Sequence, residues 1–506
     1  MRARLAGITG ALLLWQLLAW QLGQNLVIAG PLEVATYLFG HSGLLWRALC
    51  VTLSSAAQGF LWGNLAAIAM AAIVILAPRV ERGMTLLALV VFCLPLVATG
   101  PILRVLHGPG AGPQITLAAM AVYYTTYLAL LVGLRAIPQS WSDLVAVYGR
   151  GRFVELSAIR WRASLPYLTA ALQIAAPVAF LGAMVGEFTG AERGLGVLTL
   201  RAMRSLDVQA TWAIAVVATG ASVGAYWLFG WLGRQIAEPR ADILLSTADA
   251  PKRRVWWHGF AWCLGLILLW YGLMVAFDLN TFFAKRPDDV AAFLLSNDQG
   301  RETLLVAVQE TLVLTIPGYV AGLILGAGLA CALILLPQIA AFVLPLAIAL
   351  RCVPIITTAP LIILALGRGA VGTVGIVAVM IFFPTLVTCL QGLRQTPGQV
   401  KDVFESYASG RWRFLISAQI PSMLPAFFAS ARMAVPAAIL AVTTAEWLAT
   451  GKGIGNLMAL TASTSDYNML WSAIVAIALV AVVCYVAIER VEQAVLSRYA
   501  SEQLRR

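Results

Sequence analysis

The chain has 506 residues, of which 61% are hydrophobic and 11% are charged. A soluble domain carries about 25% charged residues, so this composition excludes an ordinary soluble enzyme and indicates a protein that crosses a membrane many times. The formal net charge of +11 is spread over alternating polar segments. This distribution is typical of a membrane topology signal and excludes the clustered basic surface of a nucleic-acid-binding protein.

Apolar stretches long enough to cross a bilayer, which takes about 20 residues, occur twelve times. In chain order they lie near residues 5–23, 51–77, 84–106, 115–135, 170–190 and 211–233, and then near 256–277, 304–336, 343–366, 371–392, 429–449 and 470–489. The first stretch could be a signal peptide, but no clean small-residue cleavage site follows it, so we interpret it as a retained helix. The sequence therefore predicts an all-α integral membrane protein with about 12 transmembrane helices.

The second half of the chain repeats the first at an offset of 259 positions. The stretch EFTGAERGLGVL at 187–198 returns as EWLATGKGIGNL at 446–457, and CLPLVATGP at 93–101 returns as CVPIITTAP at 352–360. Glycine, proline and charged residues align along with the apolar ones, which similar hydropathy alone does not produce. The sequence therefore predicts a tandem duplication.

The duplication divides the chain into a first repeat at 1–240, a polar linker at 241–254 and a second repeat at 255–506. Each repeat has six predicted helices, an even number, so both should enter the membrane in the same direction, related by an axis along the membrane normal. Arginine and lysine concentrate in alternate connections, the linker and both ends. By the positive-inside rule, we expect both termini and the connections between helices 4 and 5 in the cytoplasm.

The connection between helices 4 and 5 is a polar segment present in both copies, at 139–166 and 398–425. Its pattern predicts a short helix, a glycine turn and a second helix, with an arginine and an aromatic residue after the turn. One interpretation is an amphipathic segment on lipid headgroups. The other is a docking element for a cytosolic partner, because exposed aromatic side chains beside arginine anchor interfaces well. The candidate docking residues are Asp143, Tyr148, Gly149, Gly151, Arg152 and Phe153, and Asp402, Tyr407, Gly410, Arg411 and Trp412.

These two connections resemble the EAA loops of the permeases of binding-protein-dependent ABC importers. Asp143 and Asp402 stand at the acidic position of that motif. Each copy also departs from it, since Arg162 replaces a proline in the first and Ala408 replaces a glycine in the second. The later pattern A-P-(x)9-E-(x)6-G-[LI]-G resembles the subgroup that imports nitrate, sulfonates, taurine and pyrimidine precursors.

The resemblance implies a fold like that of a type I ABC-importer permease in the cell inner membrane. It also implies two cytosolic ATPase subunits that carry ATP-Mg and receive the EAA-like loops as coupling helices. An extracytoplasmic solute-binding protein would deliver a small solute. A fused duplication would supply the complete pore, so no second permease copy would be required.

A glutamate near the outer end of helix 5 occurs in both repeats. An ionisable residue at membrane depth usually faces protein or a water-filled cavity. Two interpretations are open: the glutamates line a pore or outer gate, or they anchor neighbouring backbone at the helix end. The sequence segments at 93–101 and 352–360 should break or kink the third predicted helix of each repeat. Such a kink could line the transport path, or it could serve only the packing of the helices. The candidate pore or gate residues are Glu187, Glu446, Pro95, Thr99, Pro354 and Thr358.

The sequence contains no phosphate-binding G-x-x-x-x-G-K-[ST] loop, no paired metal ligands and no cluster typical of a nucleophilic enzyme. We therefore expect no catalytic residue, cofactor or metal in this chain, and ATP hydrolysis on partner subunits. The alternative function is an ion-coupled secondary transporter with 6+6 parallel repeats, which predicts coupling carboxylates near the middle of the membrane.

Overall fold

The computed structural model describes residues 28–236 and 256–499 with short gaps, and scattered positions within 13–21. The gaps are residues 109, 138, 337, 351 and 368 and most of 341–349. The predicted linker 241–254 and both chain ends lie outside the described residues, as does most of the first predicted helix. Every regular element in the described ranges is a helix.

The helices that the structure describes in both repeats follow the same order of long and short. The first contains α1 Pro31–Gly40, α2 Ser42–Leu76, α3 Glu81–Cys93, α4 Leu96–His107, α5 Gly112–Arg135, α6 Gln139–Val147, α7 Arg152–Phe188, α8 Leu195–Arg204 and α9 Val208–Ile236. The second contains α10 Trp256–Ala276, α11 Pro287–Ser296, α12 Asp298–Leu335, α13 Ile355–Leu366, α14 Ala370–Arg394, α15 Gly398–Ser406, α16 Arg411–Leu448, α17 Gly453–Ser463 and α18 Tyr467–Tyr499.

Eight of the described helices are long and apolar enough to cross a membrane: α2, α5, α7, α9, α12, α14, α16 and α18. Each of them covers one of the predicted spans. A shorter apolar stretch, Leu264–Ala276, lies in α10. Of the predicted span at 343–366, the structure describes only α13 as a continuous helix.

The predicted span at 84–106 is not one straight helix. It consists of α3 and α4, which bend by 95° at the break between them. The break lies at Leu94 and Pro95, where Leu94 is extended with φ −66° and ψ 128°. Proline disfavours the helical conformation in the residue before it, which explains why the chain turns here. The break that the segment CLPLVATGP at 93–101 predicted is therefore present.

The helices α7 and α16 begin well before the spans predicted at 170–190 and 429–449. The second helix of each docking connection is therefore continuous with a membrane helix, which the hydropathy pattern did not show. Each of the two helices contains a π-helical turn near its start, at Leu156–Arg160 and at Leu415–Gln419. These turns occupy aligned positions in the two repeats.

Two short helices, α1 and α11, precede the first long helix of each repeat and were not predicted. Each starts with proline, and an acid two residues later accepts a hydrogen bond from the backbone just before the helix: Gly30 N donates to Glu33, and Arg286 N donates to Asp289. The following helix has 35 residues in the first repeat and 38 in the second. Because their last residues align, α12 is longer at its N-terminal end.

The two repeats pack against each other through shared core contacts. Tyr124 on α5 and Tyr485 on α18 have hydroxyl oxygens 3.3 Å apart. Phe188 and Trp447, at aligned positions, have ring centroids 5.8 Å apart. They lie at the C-terminal ends of α7 and α16. Two helices of this length can meet at their C-terminal ends within one membrane only if both run in the same direction, so the repeats are parallel.

Candidate functional site

The first docking connection consists of α6, a turn at 148–151 and the start of α7. Gly149 has φ +65°, a left-handed conformation that glycine adopts without steric cost. Gly151 precedes the first residue of α7 with extended backbone. The aromatic side chains of Tyr148 and Phe153 are 74% and 69% exposed. The chain thus holds two aromatic groups in solvent on either side of a tight turn.

The second docking connection repeats this arrangement with α15 and the start of α16. Tyr407 and Trp412 are 83% and 67% exposed, and Gly410 precedes the first residue of α16. Ala408 stands where the first copy has Gly149, and it keeps the left-handed backbone with φ +47°. The turn is therefore retained even where its glycine is lost.

The charged candidates accompany the aromatic ones in both copies. Asp143, Arg152, Asp402 and Arg411 are all exposed. The guanidinium of Arg152 lies 3.5 Å from the carbonyl oxygen of Leu76, at the end of α2. Exposed aromatic and arginine side chains on paired rigid turns can bind another protein or a lipid surface, so both interpretations made from the sequence remain open at this point.

The carboxylate of Glu187 is buried at the C-terminal end of α7, with 2% exposure. Thr52 Oγ1 on α2 donates to Glu187 Oε1 at 2.6 Å, and Gly196 N donates to Glu187 Oε2 at 2.6 Å. The same threonine hydroxyl accepts a hydrogen bond from Leu195 N at 2.9 Å. Glutamate and threonine together satisfy two backbone groups at the N-terminus of α8, which otherwise lack helical partners.

The second repeat builds the same site around Glu446, which is fully buried. Thr311 Oγ1 donates to Glu446 Oε1 at 2.8 Å, and Gly455 N donates to Glu446 Oε2 at 2.8 Å. Ile454 N donates to the threonine hydroxyl at 2.9 Å. This copy adds the half-buried Glu310, which accepts from Gly453 N at 2.9 Å. The duplicated phrase therefore encodes a duplicated hydrogen-bond junction.

A glycine at the start of each short helix makes room for the buried carboxylate. Gly194 has φ +134° and Gly453 has φ +83°. A Cβ atom at either position would overlap the carboxylate of Glu187 or Glu446. Both the conformation and the space require glycine here.

The contacts of Glu187 and Glu446 are those of the anchoring interpretation. Their role in a pore or gate stays a prediction. Sequence reasoning missed the two threonines as their partners, although the alignment already paired Thr52 with Thr311. A polar residue kept at the same offset as the glutamate was the available signal.

The remaining pore candidates lie at the starts of α4 and α13. Pro95 and Pro354 are buried and directly precede α4 and α13. The hydroxyls of Thr99 and Thr358 donate to carbonyl oxygens one turn earlier, at Leu96 O and Ile355 O. These hydroxyls are thus used within the helix, and the predicted lining role is not tested by the contacts. Within the described ranges, no three His, Cys, Asp or Glu side chains come together to hold a metal ion.

The fold and these sites define a class of protein: a multi-pass, all-α membrane permease built from two parallel repeats. The chain belongs to the family of binding-protein-dependent transport system inner membrane components, which matches it twice, at residues 59–242 and 313–500. The two matches correspond to the two repeats. The resemblance inferred from the loop motifs is therefore confirmed at the level of the family.

Individual relatives each match less than half of the chain. A probable ABC transporter permease protein of Haemophilus influenzae is 30% identical over 228 residues, which are 44% of this chain and 93% of that protein. The formylaminopyrimidine transport permease protein ThiX of Halalkalibacterium halodurans is 24% identical over 228 residues, 44% of this chain and 91% of that protein. The riboflavin transport system permease protein RibX of Chloroflexus aurantiacus is 27% identical over 142 residues, 28% of this chain and 53% of that protein.

The chain is therefore a fused ABC transporter permease of the inner membrane, and a transport subunit rather than an enzyme. Membership of this family implies ATPase partners and a binding protein in general. Two of these relatives are matched over almost their whole length, and each is roughly as long as one repeat. This chain therefore contains two permease units where each of these relatives contains one.

Proposed function

We propose that this single chain forms the whole pore of an ATP-driven importer, with one ATPase subunit docked on each of its two helix–turn–helix connections. One observation carries the proposal. At one end of the molecule, each repeat presents an exposed turn, and each turn is continuous with a long helix, α7 or α16. Each long helix reaches a buried glutamate at the opposite end. A push on the turn is thereby linked mechanically to the far side of the pore.

The docking surface consists of the exposed groups around the two turns. Aromatic and arginine side chains anchor protein interfaces because they bury a large area and offer directional hydrogen bonds. Trp141, Leu144 and Val147 on α6 are exposed as well and enlarge the apolar part of the first docking surface. The docking residues are Asp143, Tyr148, Gly149, Gly151, Arg152 and Phe153, with Asp402, Tyr407, Gly410, Arg411 and Trp412 in the second copy.

The orientation in this proposal puts the docking turns and both chain ends in the cytoplasm. Arg79, Arg82, Arg135, Arg150 and Arg152 support it, because they all belong to connections at the docking end of the first repeat. Such an excess of arginine is typical of the cytoplasmic side. The glutamate junctions then face the extracytoplasmic side, where a solute-binding protein delivers its ligand.

The pathway runs between the two repeats in this proposal, and Pro95 and Pro354 border it together with Thr99 and Thr358. Glu187 and Glu446 act at the outer gate by holding the ends of α7 and α16 to α8 and α17. No second permease copy is needed, because the fused repeats already supply both walls of the pore.

The solute belongs to the class of small heteroaromatic molecules in this proposal. Support comes from the names of two relatives, which are permeases for formylaminopyrimidine and for riboflavin. The pattern A-P-(x)9-E-(x)6-G-[LI]-G also resembles the subgroup that imports pyrimidine precursors, along with nitrate, sulfonates and taurine. These two compounds are therefore the first probes for uptake.

The docking proposal is tested by purifying the tagged chain from its native membrane and identifying what accompanies it. We expect ATPase subunits at two copies per permease chain. The double charge reversal Arg152→Glu and Arg411→Glu should lower both the amount of bound ATPase and the ATP-dependent uptake of a transported probe at least tenfold. The double variant Arg201→Glu and Arg204→Glu, on the exposed face of α8 at the opposite end, is the matched control and should keep the ATPases bound.

The alternative function is an ion-coupled secondary transporter. It predicts uptake into vesicles that contain an ion gradient and no ATP. Such uptake, or a purified chain without any ATPase, would overturn the proposed function.

A further inference from the structure

The first helix of each docking connection, α6 or α15, is called the docking helix below. In the first repeat, the carboxylate of Glu155 on α7 holds the docking helix α6 to α7. Ser142 Oγ on α6 donates to Glu155 Oε1 at 2.7 Å. Arg160 donates to the same oxygen through Nε at 2.9 Å and Nη2 at 2.7 Å. Both charged side chains are largely buried, with 15% exposure for Glu155 and 19% for Arg160. Charge-assisted hydrogen bonds of this kind, shielded from water, are stronger than an exposed ion pair.

The same arginine extends the connection to a third helix. Arg160 Nη1 donates to the carbonyl oxygen of Leu134 at 2.8 Å, at the end of α5. Beside it, Arg135 pairs with Glu81 at 2.7 Å, which joins the end of α5 to the start of α3. Glu155 therefore stands where the docking helix, the long helix α7 and the end of α5 meet.

The second repeat makes the equivalent connection with different chemistry. Phe414 occupies the position of Glu155, and Phe404 on α15 occupies that of Val145 on α6. Their rings lie in edge-to-face contact, with centroids 5.3 Å apart and planes at 62°. Lys401 replaces Ser142, and Gln419 replaces the arginine. An aromatic pair thus does in the second copy what a hydrogen-bonded carboxylate does in the first.

In both repeats, the side-chain contact between the docking helix and the long helix is made by the residue that directly precedes a π-helical turn. The turns at Leu156–Arg160 and Leu415–Gln419 begin directly after Glu155 and Phe414. A π-helical turn is rare within α-helices and is frequent at functional sites. A side-chain contact at this place can carry a displacement of α6 or α15 into the long helix that follows.

We propose that Glu155 is a positioning residue that transmits movement of the first docking helix to α7, and that the Phe404–Phe414 pair has this task in the second repeat. The proposal rests on the proposed function, because it concerns how bound ATPases move the pore. The two arms of the permease thus transmit movement through unlike contacts, one charged and hydrogen-bonded and the other aromatic.

The test measures movement at the far end of the molecule and needs no transported solute. Spin labels are placed by Ser205→Cys and Thr464→Cys in a cysteine-free background, because both positions are exposed and aligned. The permease and its ATPase subunits are reconstituted in nanodiscs. Pulsed electron paramagnetic resonance then gives the distance distribution without nucleotide and with ATP and vanadate.

In the spin-labelled permease with no further substitution, ATP and vanadate should shift the distribution of distances between the two labels. We expect Glu155→Gln to keep the ATPases bound and hydrolysing within twofold, yet to reduce the shifted population at least fivefold. Phe414→Ala should act in the same way in the second arm. Asp298→Asn, which removes the exposed pair of Asp298 and Arg301 at the opposite end, is the control and should leave the shift unchanged.

Rescue separates a positioning role from general destabilisation. The triple variant Val145→Phe, Glu155→Phe and Arg160→Gln installs the contact of the second repeat in the first. It should restore the shift to within twofold of the original. A full shift in Glu155→Gln, or no recovery in the folded triple variant, would overturn the inference. Absence of any ATP-dependent shift in the original protein would instead contradict the proposed function.

Discussion

Thr52 and Glu187 are separated by 135 positions in the chain, and their side-chain oxygens lie 2.6 Å apart in the buried junction between α2, α7 and α8. The hydroxyl donates to the carboxylate and at the same time accepts from the backbone of Leu195. One small side chain thus joins three helices. Thr311 and Glu446 repeat this relationship in the second copy at 2.8 Å.

Removal of either threonine hydroxyl should destabilise the protein. Thr52→Val keeps the shape but removes the donor to Glu187 Oε1 and the acceptor of the Leu195 N–H, while Glu187 Oε2 keeps its bond from Gly196 N. A buried unsatisfied group costs about 1–3 kcal/mol, so the midpoint of thermal unfolding in detergent should fall. Thr311→Val should have an effect of similar size. Thr52→Ser keeps the hydroxyl and is the control; a midpoint as low as that of the valine variant would contradict this explanation.

Alanine should not be tolerated at Gly194 or Gly453. The new methyl group would displace the carboxylate from its backbone donors and would also have to adopt a positive φ. We expect the yield of folded, monodisperse protein to fall strongly for both variants. Gly220→Ala, in an open part of α9, is the matched control and should be neutral. Equal yields for all three variants would show that the junction tolerates this displacement.

Reverse exchanges of glycine and alanine in the two docking turns should have opposite effects on the stability of those turns. Ala408→Gly should stabilise the second turn by about 1 kcal/mol, because a left-handed backbone is unfavourable for alanine. Gly149→Ala should destabilise the first turn by a similar amount. Hydrogen exchange of the turn amides, compared with those of α9, measures both effects. Protection that changes in the same direction in both variants would contradict the backbone assignment.

The contact of Phe188 with Trp447 predicts a cross-link between the repeats. In a cysteine-free background with a protease site inserted in the predicted linker, Phe188→Cys and Trp447→Cys should be joined by a short bismaleimide. After cleavage, the two halves should then stay together on a denaturing gel. Val147→Cys with Trp447→Cys is the control pair, because Val147 lies at the docking end. Equal cross-linking of both pairs would contradict the parallel arrangement of the repeats.

Much of this architecture could be predicted from the sequence because it depends on composition and local pattern. Hydropathy predicted twelve spans, and eight of them are long apolar helices in the described part of the chain. The fixed offset of glycine, proline and charged residues indicated the duplication. Proline at position 95 signalled the break in helix 3, since a residue before proline avoids the helical conformation. The size of the bend, 95°, depends on tertiary packing and has no local signal.

The contacts of the candidate sites were harder to predict. Glu187 was singled out because a carboxylate in an apolar segment needs a partner, but the partner lies 135 positions away and only the structure identifies it. The connection through Glu155 was missed for a different reason. The second copy has phenylalanine at this position. Comparison of the repeats indicated the docking turns and the buried glutamates because their residues recur, but Glu155 does not recur and was therefore not noticed.

The extra residues at the N-terminal end of α12 have a geometric consequence. Three residues of helix add about 4.5 Å, so α12 is longer than α2 by nearly one turn on this side of the molecule. A rigid body resting on this side would meet two unequal helix ends, and it would fit in one direction better than when rotated by half a turn. Two identical subunits cannot make such an unequal platform, whereas a fused pair can acquire it through a single insertion.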